Sequence, residues 1–360
     1  MSHCRHPLHC LVPPRVLERI IENGDQEQRA RALKTLSRDG TIRTARVQNQ
    51  KARAGGPREG ADALAVSAVP KPNRIIRHAD HREEVVGIPA IRREGEGPCG
   101  DEASDEAYDG LGDTWRFFNE AYGRDSIDDQ GMPLRGITHF GYYYMNAFWD
   151  GRRMVFGDGD GLIFMRFTAS LDVIGHELAH GVSETESGLE YYGQPGALNE
   201  SFSDVMGSLV KQYRLNQDAT AADWLIGSDI FTPEIDGDAL RSMKAPGSAF
   251  DDPLIGKDDQ PGHMSDYVRT TEDNGGVHIN SGIPNHAFYI TATKLGGHAW
   301  EVAGRIWYEA IQHPACGPTT QFPRFARITV RVAERLHGQG SPEVNAVHEG
   351  WEEVGVPHAV

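Results

Sequence analysis

Apolar and polar positions divide the chain into regions of different period. Near the start, Pro13-Pro14 precedes Val16, Leu17, Ile20 and Ile21, an apolar face at helical spacing. Proline suits a helix start because its missing N–H is not needed in the first turn. Asn23-Gly24 is expected to end this helix with a left-handed cap. Asp25 is expected to cap a second helix carrying Ala30, Leu33 and Leu36 and stopping near Asp39-Gly40. Two short helices have little core of their own, so they need a larger surface to fold against.

Beyond this head the pattern changes twice. Residues 51–70 are rich in Ala, Gly and Pro without a period and read as a linker, its bounds drawn at 53–71. Short strands are expected at Asn73–Arg77 and Glu84–Ile88, then a helix around Asp105–Tyr122. Ile137, Phe140, Tyr142, Tyr144 and Met154-Val155-Phe156 alternate with polar positions, as in antiparallel strands. Turns are placed at Asp150-Gly151 and Gly157-Asp-Gly-Asp-Gly161, the second read as a structural turn rather than a metal loop. From about residue 168 the period becomes helical, as in Trp300, Val302, Ala303, Ile306, Trp307, Ala310 and Ile311. A head (1–52), a β-rich lobe (72–186) and an all-helical lobe (187–360) make an α+β chain of two lobes.

Charge refines this picture. The 360 residues carry a net charge of −16. Residues 1–60 hold 12 Lys/Arg against 6 Asp/Glu, while the remaining 300 hold 24 against 46. An acidic body lacks the basic footprint of a nucleic-acid binder, and a basic head is expected to dock on it. No apolar run reaches 18 residues, so no membrane span is expected, and the amino terminus shows no signal-peptide core. Four cysteines without a Cys-x-x-Cys pair do not make a disulfide scaffold.

The chemistry centres on Leu171-Asp-Val-Ile-Gly-His176-Glu177-Leu-Ala-His180-Gly181. Histidines four apart share one helix face and can bind one zinc ion. Glu177 then flanks the metal without ligating it, placed to take a proton from bound water. Glu200, twenty residues after His180, would complete a His₂Glu set with a position open to water. Asp204, one turn past Glu200, and Asn199 could each accept the free N–H of a ligand histidine.

The spacing of this motif from Asn199-Glu200-Ser-Phe-Ser-Asp204 resembles the thermolysin-like metallopeptidases. Asn146-Ala-Phe-Trp149, Gly157–Gly161, Leu240-Arg241-Ser-Met243 and Asp273-Asn-Gly-Gly-Val-His278-Ile-Asn280-Ser-Gly282 match that family as well, from about residue 72 to the end. The head, with Cys10-Leu-Val-Pro13-Pro14, resembles the short propeptide of the protealysin-like branch. The resemblance implies a two-lobed fold with the zinc helix between a β-rich and a helical lobe. It implies a neutral endopeptidase with one catalytic zinc, made as a precursor that its propeptide inhibits and that processes itself within about residues 45–72.

It also implies roles for single residues. Glu177 would activate the zinc-bound water and protonate the leaving amine. His278 and Tyr191 would donate to the oxyanion, with Asp273 orienting His278. Asn146 and the Ala147 carbonyl would bind substrate backbone as an added strand, and Arg241 a substrate carbonyl. Phe164, Val173 and Leu240 would line an apolar pocket that favours cleavage on the amino side of bulky hydrophobic residues.

Two places depart from the pattern. At the positions of thermolysin's calcium pair only Asp172 and Asp223 stay acidic, beside Lys211, Leu225 and Ser228. An ammonium cannot ligate calcium, so no calcium pair is expected there. His3-Cys4-Arg-His6-Pro-Leu-His9-Cys10 is a soft-ligand cluster, read as a frayed terminus rather than a cysteine block on the zinc. A zinc aminopeptidase and a non-catalytic zinc-bearing binding module are the alternative readings. The protein is expected to act as a monomer on peptides, outside the cell by a non-classical route, with the cytoplasm as the other possibility.

Overall fold

The structure, a computed structural model, describes the backbone of residues 9–53 and 70–358. The head consists of strand β1 (His9–Cys10) and helices α1 (Pro14–Asn23) and α2 (Gln26–Arg53). Gly24 ends α1, but with extended backbone at φ −71° rather than left-handed. Glycine is required there for room, because a Cβ would lie 2.6 Å from the Ile20 carbonyl oxygen. Asp25 caps α2 as expected: its Oδ1 accepts from the N–H groups of Glu27 and Gln28 at 2.8 and 2.9 Å. The Gln28 side chain accepts from the Asp25 N–H in return, at 2.8 Å.

Contrary to expectation, α2 does not stop at Asp39-Gly40 but runs on to Arg53. A glycine inside a helix costs only about 1 kcal/mol, and Asp39 is turned inward to partners on the body instead of capping. The linker bounds drawn at 53–71 therefore overlap the end of this helix, and residues 54–69 lie outside the described residues.

The β-rich lobe holds β2 (Arg74–His78), β3 (Ala90–Arg93), β4 (Leu134–Thr138), β5 (Ala147–Trp149) and β6 (Met154–Phe156). With β1 they form one sheet in the order β1-β5-β6-β4-β2-β3. The sheet is mixed: β5 and β6 pair antiparallel across the expected turn at Asp150-Gly151, while β2, β4 and β6 run parallel. Helix α3 (Glu102–Tyr122) supplies the crossover that a parallel β2–β4 pair needs. The strand expected at Glu84–Ile88 forms instead after Pro89, beyond a turn at Gly87. Phe140, Tyr142 and Tyr144 fall in a turn rather than a strand, with left-handed backbone at His139 and Tyr143. Their alternation records burial of Phe140 and Tyr144 and exposure of Tyr142.

Helices α4 (Leu171–Glu186) and α5 (Gly193–Leu215) join the lobes. They approach closely because glycines face each other. A Cβ on Gly175 would lie 3.0 Å from the Gly207 Cα, and one on Gly207 would lie 2.4 Å from the Asp172 carbonyl oxygen. Within the helical lobe, residues 216–272 carry no long helix. They hold the short pairs β7 (Leu225–Ile226) with β8 (Arg241–Ser242), and β9 (Asp251–Asp252) with β10 (Gly256–Lys257). Helices α6 (Asp273–Asn280), α7 (Gly282–Leu295), α8 (Ala303–Gln312), α9 (Phe322–His337) and α10 (Pro342–Glu353) complete the lobe. One apolar core runs through both lobes and includes Val12, Val16, Leu17 and Ile20 of the head. Among the described residues no helix is long and apolar enough to cross a membrane.

Candidate active site

The site is built on α4 and α5. Helical spacing turns His176 and His180 to one face of α4, where both are fully buried. Asp204 Oδ1 lies 2.8 Å from His176 Nδ1, and Asn199 Oδ1 lies 2.8 Å from His180 Nδ1. Each Nδ1–H is thereby donated, and each Nε2 presents a lone pair. The two Nε2 atoms face each other at 3.1 Å. The buried Glu200 carboxylate lies 3.5 Å from both, and among the described residues its Oε2 accepts no hydrogen bond. Two imidazole nitrogens converging beside a buried carboxylate form a donor set for one divalent cation, and two imidazoles with one carboxylate suit zinc.

Asp204 is held from its other side by Arg241, whose Nε and Nη2 donate at 2.9 and 2.8 Å. Asn285 Nδ2 adds a third bond at 2.8 Å. Burial alone would raise the Asp204 pKa, but the Arg241 guanidinium and His176 outweigh it and hold the carboxyl far below its usual range. Sequence reading assigned Arg241 to substrate and overlooked this clamp. Asn285 was also missed, since no spacing rule links it to the histidine motif.

Across the cleft, Asp273, Asn274, Gly275 and Gly276 form a left-handed turn, with φ of 48°, 52°, 82° and 77°. The turn folds the Asp273 carboxylate back to accept from the His278 N–H at 2.7 Å and to meet His278 Nδ1 at 2.6 Å. His278 Nε2 is then the donor that points into the cleft. Burial disfavours the charged imidazole, but Asp273 and Glu200 overcome it and raise the pKa to about 9. Tyr191 donates its hydroxyl to Glu200 and lies 3.2 Å from His278 Nε2. Glu177 is buried beside this group, and its Oε2 accepts from the Trp149 N–H at 2.9 Å.

The head runs through this cleft as a strand. β1 pairs antiparallel with β5, and the Leu11 N–H donates to the Ala147 carbonyl at 3.3 Å. The Val12 N–H donates to Asn146 Oδ1 at 3.0 Å, and Asn146 Nδ2 returns to the Val12 carbonyl at 3.4 Å. Arg241 Nη1 donates to the Leu11 carbonyl at 3.2 Å. His278 Nε2 donates to the Cys10 carbonyl at 3.0 Å. Asn146, Ala147, Arg241 and His278 are thus brought together on one stretch of backbone. Cys10 is ordered and buried rather than frayed, and its carbonyl is what faces His278. Cys4 and the rest of residues 1–8 lie outside the described residues.

Two anchors from α2 escaped the sequence reading. Asp39 accepts from the Tyr144 hydroxyl and from Asn146 Nδ2, the latter at 3.0 Å. Thr35 Oγ1 accepts from the Met145 N–H at 3.2 Å. Charge adds Arg15 on Asp259 and Arg38 on Glu83, so the basic head does dock on the acidic body.

At the amino end of α4, Lys211 Nζ lies 2.8 Å from Asp172 and 3.0 Å from Asp223. Burial would lower the lysine pKa, but the two carboxylates raise it.

A metal position of this kind, with an extended strand of its own chain across it, defines a metallopeptidase held in precursor form. The model of the thermolysin metallopeptidase catalytic domain matches residues 93–184, and that of the alpha-helical domain matches 187–356. The protealysin propeptide model matches residues 9–37. An extracellular metalloprotease of Pectobacterium carotovorum subsp. carotovorum is 47% identical over 361 residues, 97% of each chain. A thermolysin of Alicyclobacillus acidocaldarius is 39% identical over 263 residues, 71% of this chain and 46% of that one. The solved precursor of protealysin, a metalloproteinase from Serratia proteamaculans, superposes with a TM-score of 0.87 at 49% identity, covering 97% of this chain and 99% of that one.

The chain belongs to the thermolysin family of metallopeptidases. It is a zinc neutral endopeptidase synthesised with a protealysin-type propeptide, which sets aside the aminopeptidase and non-catalytic alternatives.

Proposed function

We propose that this endopeptidase cuts on the amino side of bulky hydrophobic residues and removes its own head. The observation that carries the reading is the head itself: residues 10–12 make the backbone contacts that a bound peptide would make, on Ala147, Asn146, Arg241 and His278. His176, His180 and Glu200 would hold a zinc ion, which when bound would supply Lewis acidity toward the scissile carbonyl and a water. Glu177 takes a proton from the attacking water and later gives one to the leaving amine. His278 Nε2 and the Tyr191 hydroxyl donate to the developing oxyanion, the first oriented by Asp273. Asp204 and Asn199 hold the ligand imidazoles in one tautomer.

The pocket reading is supported by burial. Leu240 lines a small cavity together with Val16 of the head, and Phe164 and Val173 are fully buried. No calcium pair forms beside α4, because Lys211 already neutralises Asp172 and Asp223. The protein acts outside the cell as a monomer, a location supported by the name of the Pectobacterium relative.

The test is intact mass followed over time with zinc present, for the wild type beside Glu177→Ala. Loss of an amino-terminal fragment of about 5–8 kDa, at roughly 110 Da per residue, is expected in the wild type alone. A chain that stays whole, yet cuts terminally blocked peptides when started near residue 70, would show that another protease removes the head.

A further inference from the structure

A second cluster of metal-ligating groups lies at the carboxyl ends of three neighbouring parallel strands. His78 ends β2, His139 follows β4 and Asp158 follows β6. Asp101, which caps α3 by accepting from the Ser104 N–H at 2.8 Å, completes the group. His139 Nε2 lies 3.0 and 3.2 Å from the two Asp101 oxygens, and His139 Nδ1 lies 3.0 Å from Asp158 Oδ2. The His78 ring stacks on His139 with centroids 4.1 Å apart. One ligand atom each from His78, Asp101 and His139 fall within 4.8 Å of one another, all three half-buried. Peptide hydrolysis uses none of them.

We propose that His78, Asp101 and His139 bind a second zinc ion, with Asp158 as the carboxylate that orients His139. Three observations carry this. The order carboxylate, imidazole, ligand position repeats the Asp204–His176 arrangement of the catalytic site, in which the free N–H of a ligand histidine is taken up by an acid. The carboxyl ends of adjacent parallel strands are where open sheets gather ligands. The backbone is also held in the left-handed region at Asp80, His81 and His139, with φ of 55°, 56° and 53°. Such angles are uncommon outside glycine and recur where a site over-determines the chain.

Without an ion, His139 must carry protons on both nitrogens to meet both aspartates. Binding exchanges its Nε2 proton for the ion, and the proton leaves to water. His78 contributes one ring nitrogen; its Nδ1 takes the Asp80 N–H at 2.9 Å when no ion is bound. Imidazole with carboxylate is a donor set that zinc accepts. The ion would tie β2, β4 and the start of α3 together. It would sit beside the turn whose Asp160 carbonyl accepts from Arg31 of the head at 3.0 Å.

The experiment counts zinc by elemental analysis after dialysis of the full-length Glu177→Ala protein, alone and with His78→Phe or His139→Gln added. His78→Phe keeps a stacked ring while removing the ligand and the acceptor of the Asp80 N–H, and circular dichroism checks the fold of each variant. The expected result is about two zinc ions per chain in the parent and one fewer in each variant. A parent holding one ion, or equal counts in parent and His78→Phe, overturns the proposal and leaves His139 as an imidazolium bridging two aspartates.

Discussion

At one end of the α4–α5 pair, Asp172 meets the Lys211 ammonium at 2.8 Å; toward the other, Glu200 meets two imidazoles at 3.5 Å each. Both carboxylates are fully buried. Asp172 also accepts from Ser170 Oγ at 2.6 Å and the Gly227 N–H at 3.2 Å, so the chain neutralises and satisfies it unaided. Around Glu200 two ligand imidazoles turn their Nε2 atoms to one point beside the acid, where a cation fits. Burying acid therefore does not by itself mark a metal site. At Glu200 the mark is the pair of imidazole nitrogens that converge on one point beside the acid.

The largest test of this contrast is Glu177→Ala. Peptide turnover is expected to fall about 10²- to 10⁴-fold, the usual contribution of a general base, while bound zinc stays the same. Turnover within tenfold of wild type would place the reactive group elsewhere.

At the self-neutralised end, Lys211→Ala leaves Asp172 buried without its cation. Urea unfolding should show a loss of about 3–5 kcal/mol, with activity per folded molecule unchanged. Because the Lys211 pKa is raised above 10.5, its stabilisation is complete below that pH and is lost as pH climbs past the raised value. The difference between wild type and variant should accordingly stay constant through neutral pH. A variant as stable as wild type would show that the ammonium is dispensable.

A smaller effect is expected from Asn199→Ala, which removes one of two partners of His180 Nδ1, leaving Ser203 Oγ at 2.9 Å, and keeps His176, His180 and Glu200. Zinc affinity, measured by chelator competition, should drop about 10- to 100-fold. The smallest effect is no effect: added calcium should shift the wild-type Tm by less than about 1 °C, since a cation without a native site gives no linkage. A rise of several degrees would mean that calcium displaces Lys211, and the comparison would fail at that end.

How much was readable beforehand differs along the chain. His176, Glu177, His180, Glu200, Asn199 and Asp204 were legible because helical period converts sequence spacing directly into shared faces. Asp273 and His278 were legible only as members of a recognised motif. The left-handed turn that folds Asp273 back onto His278 has no periodic signal beyond its Asn-Gly-Gly. Expectations failed where local preference met tertiary demand. Asp39-Gly40 looks like a helix stop, but Asp39 is used against Tyr144 and Asn146, and the helix continues. Alternation over residues 137–167 reads as antiparallel strands, which β5 and β6 are, but a helical crossover makes β2 and β4 parallel.

By itself, then, the sequence determined the two-lobed fold, the grouping of His176, His180 and Glu200 and the basic head, because each rests on residues near in sequence or on net charge. The tertiary structure alone decided that Arg241 and Asn285 clamp Asp204, that Asp39 seats the head, and that His78, Asp101, His139 and Asp158 meet at one sheet end. These partners are dozens of residues apart, and no local period relates them. Only packing brings them within hydrogen-bond reach, where burial makes their pairing obligatory.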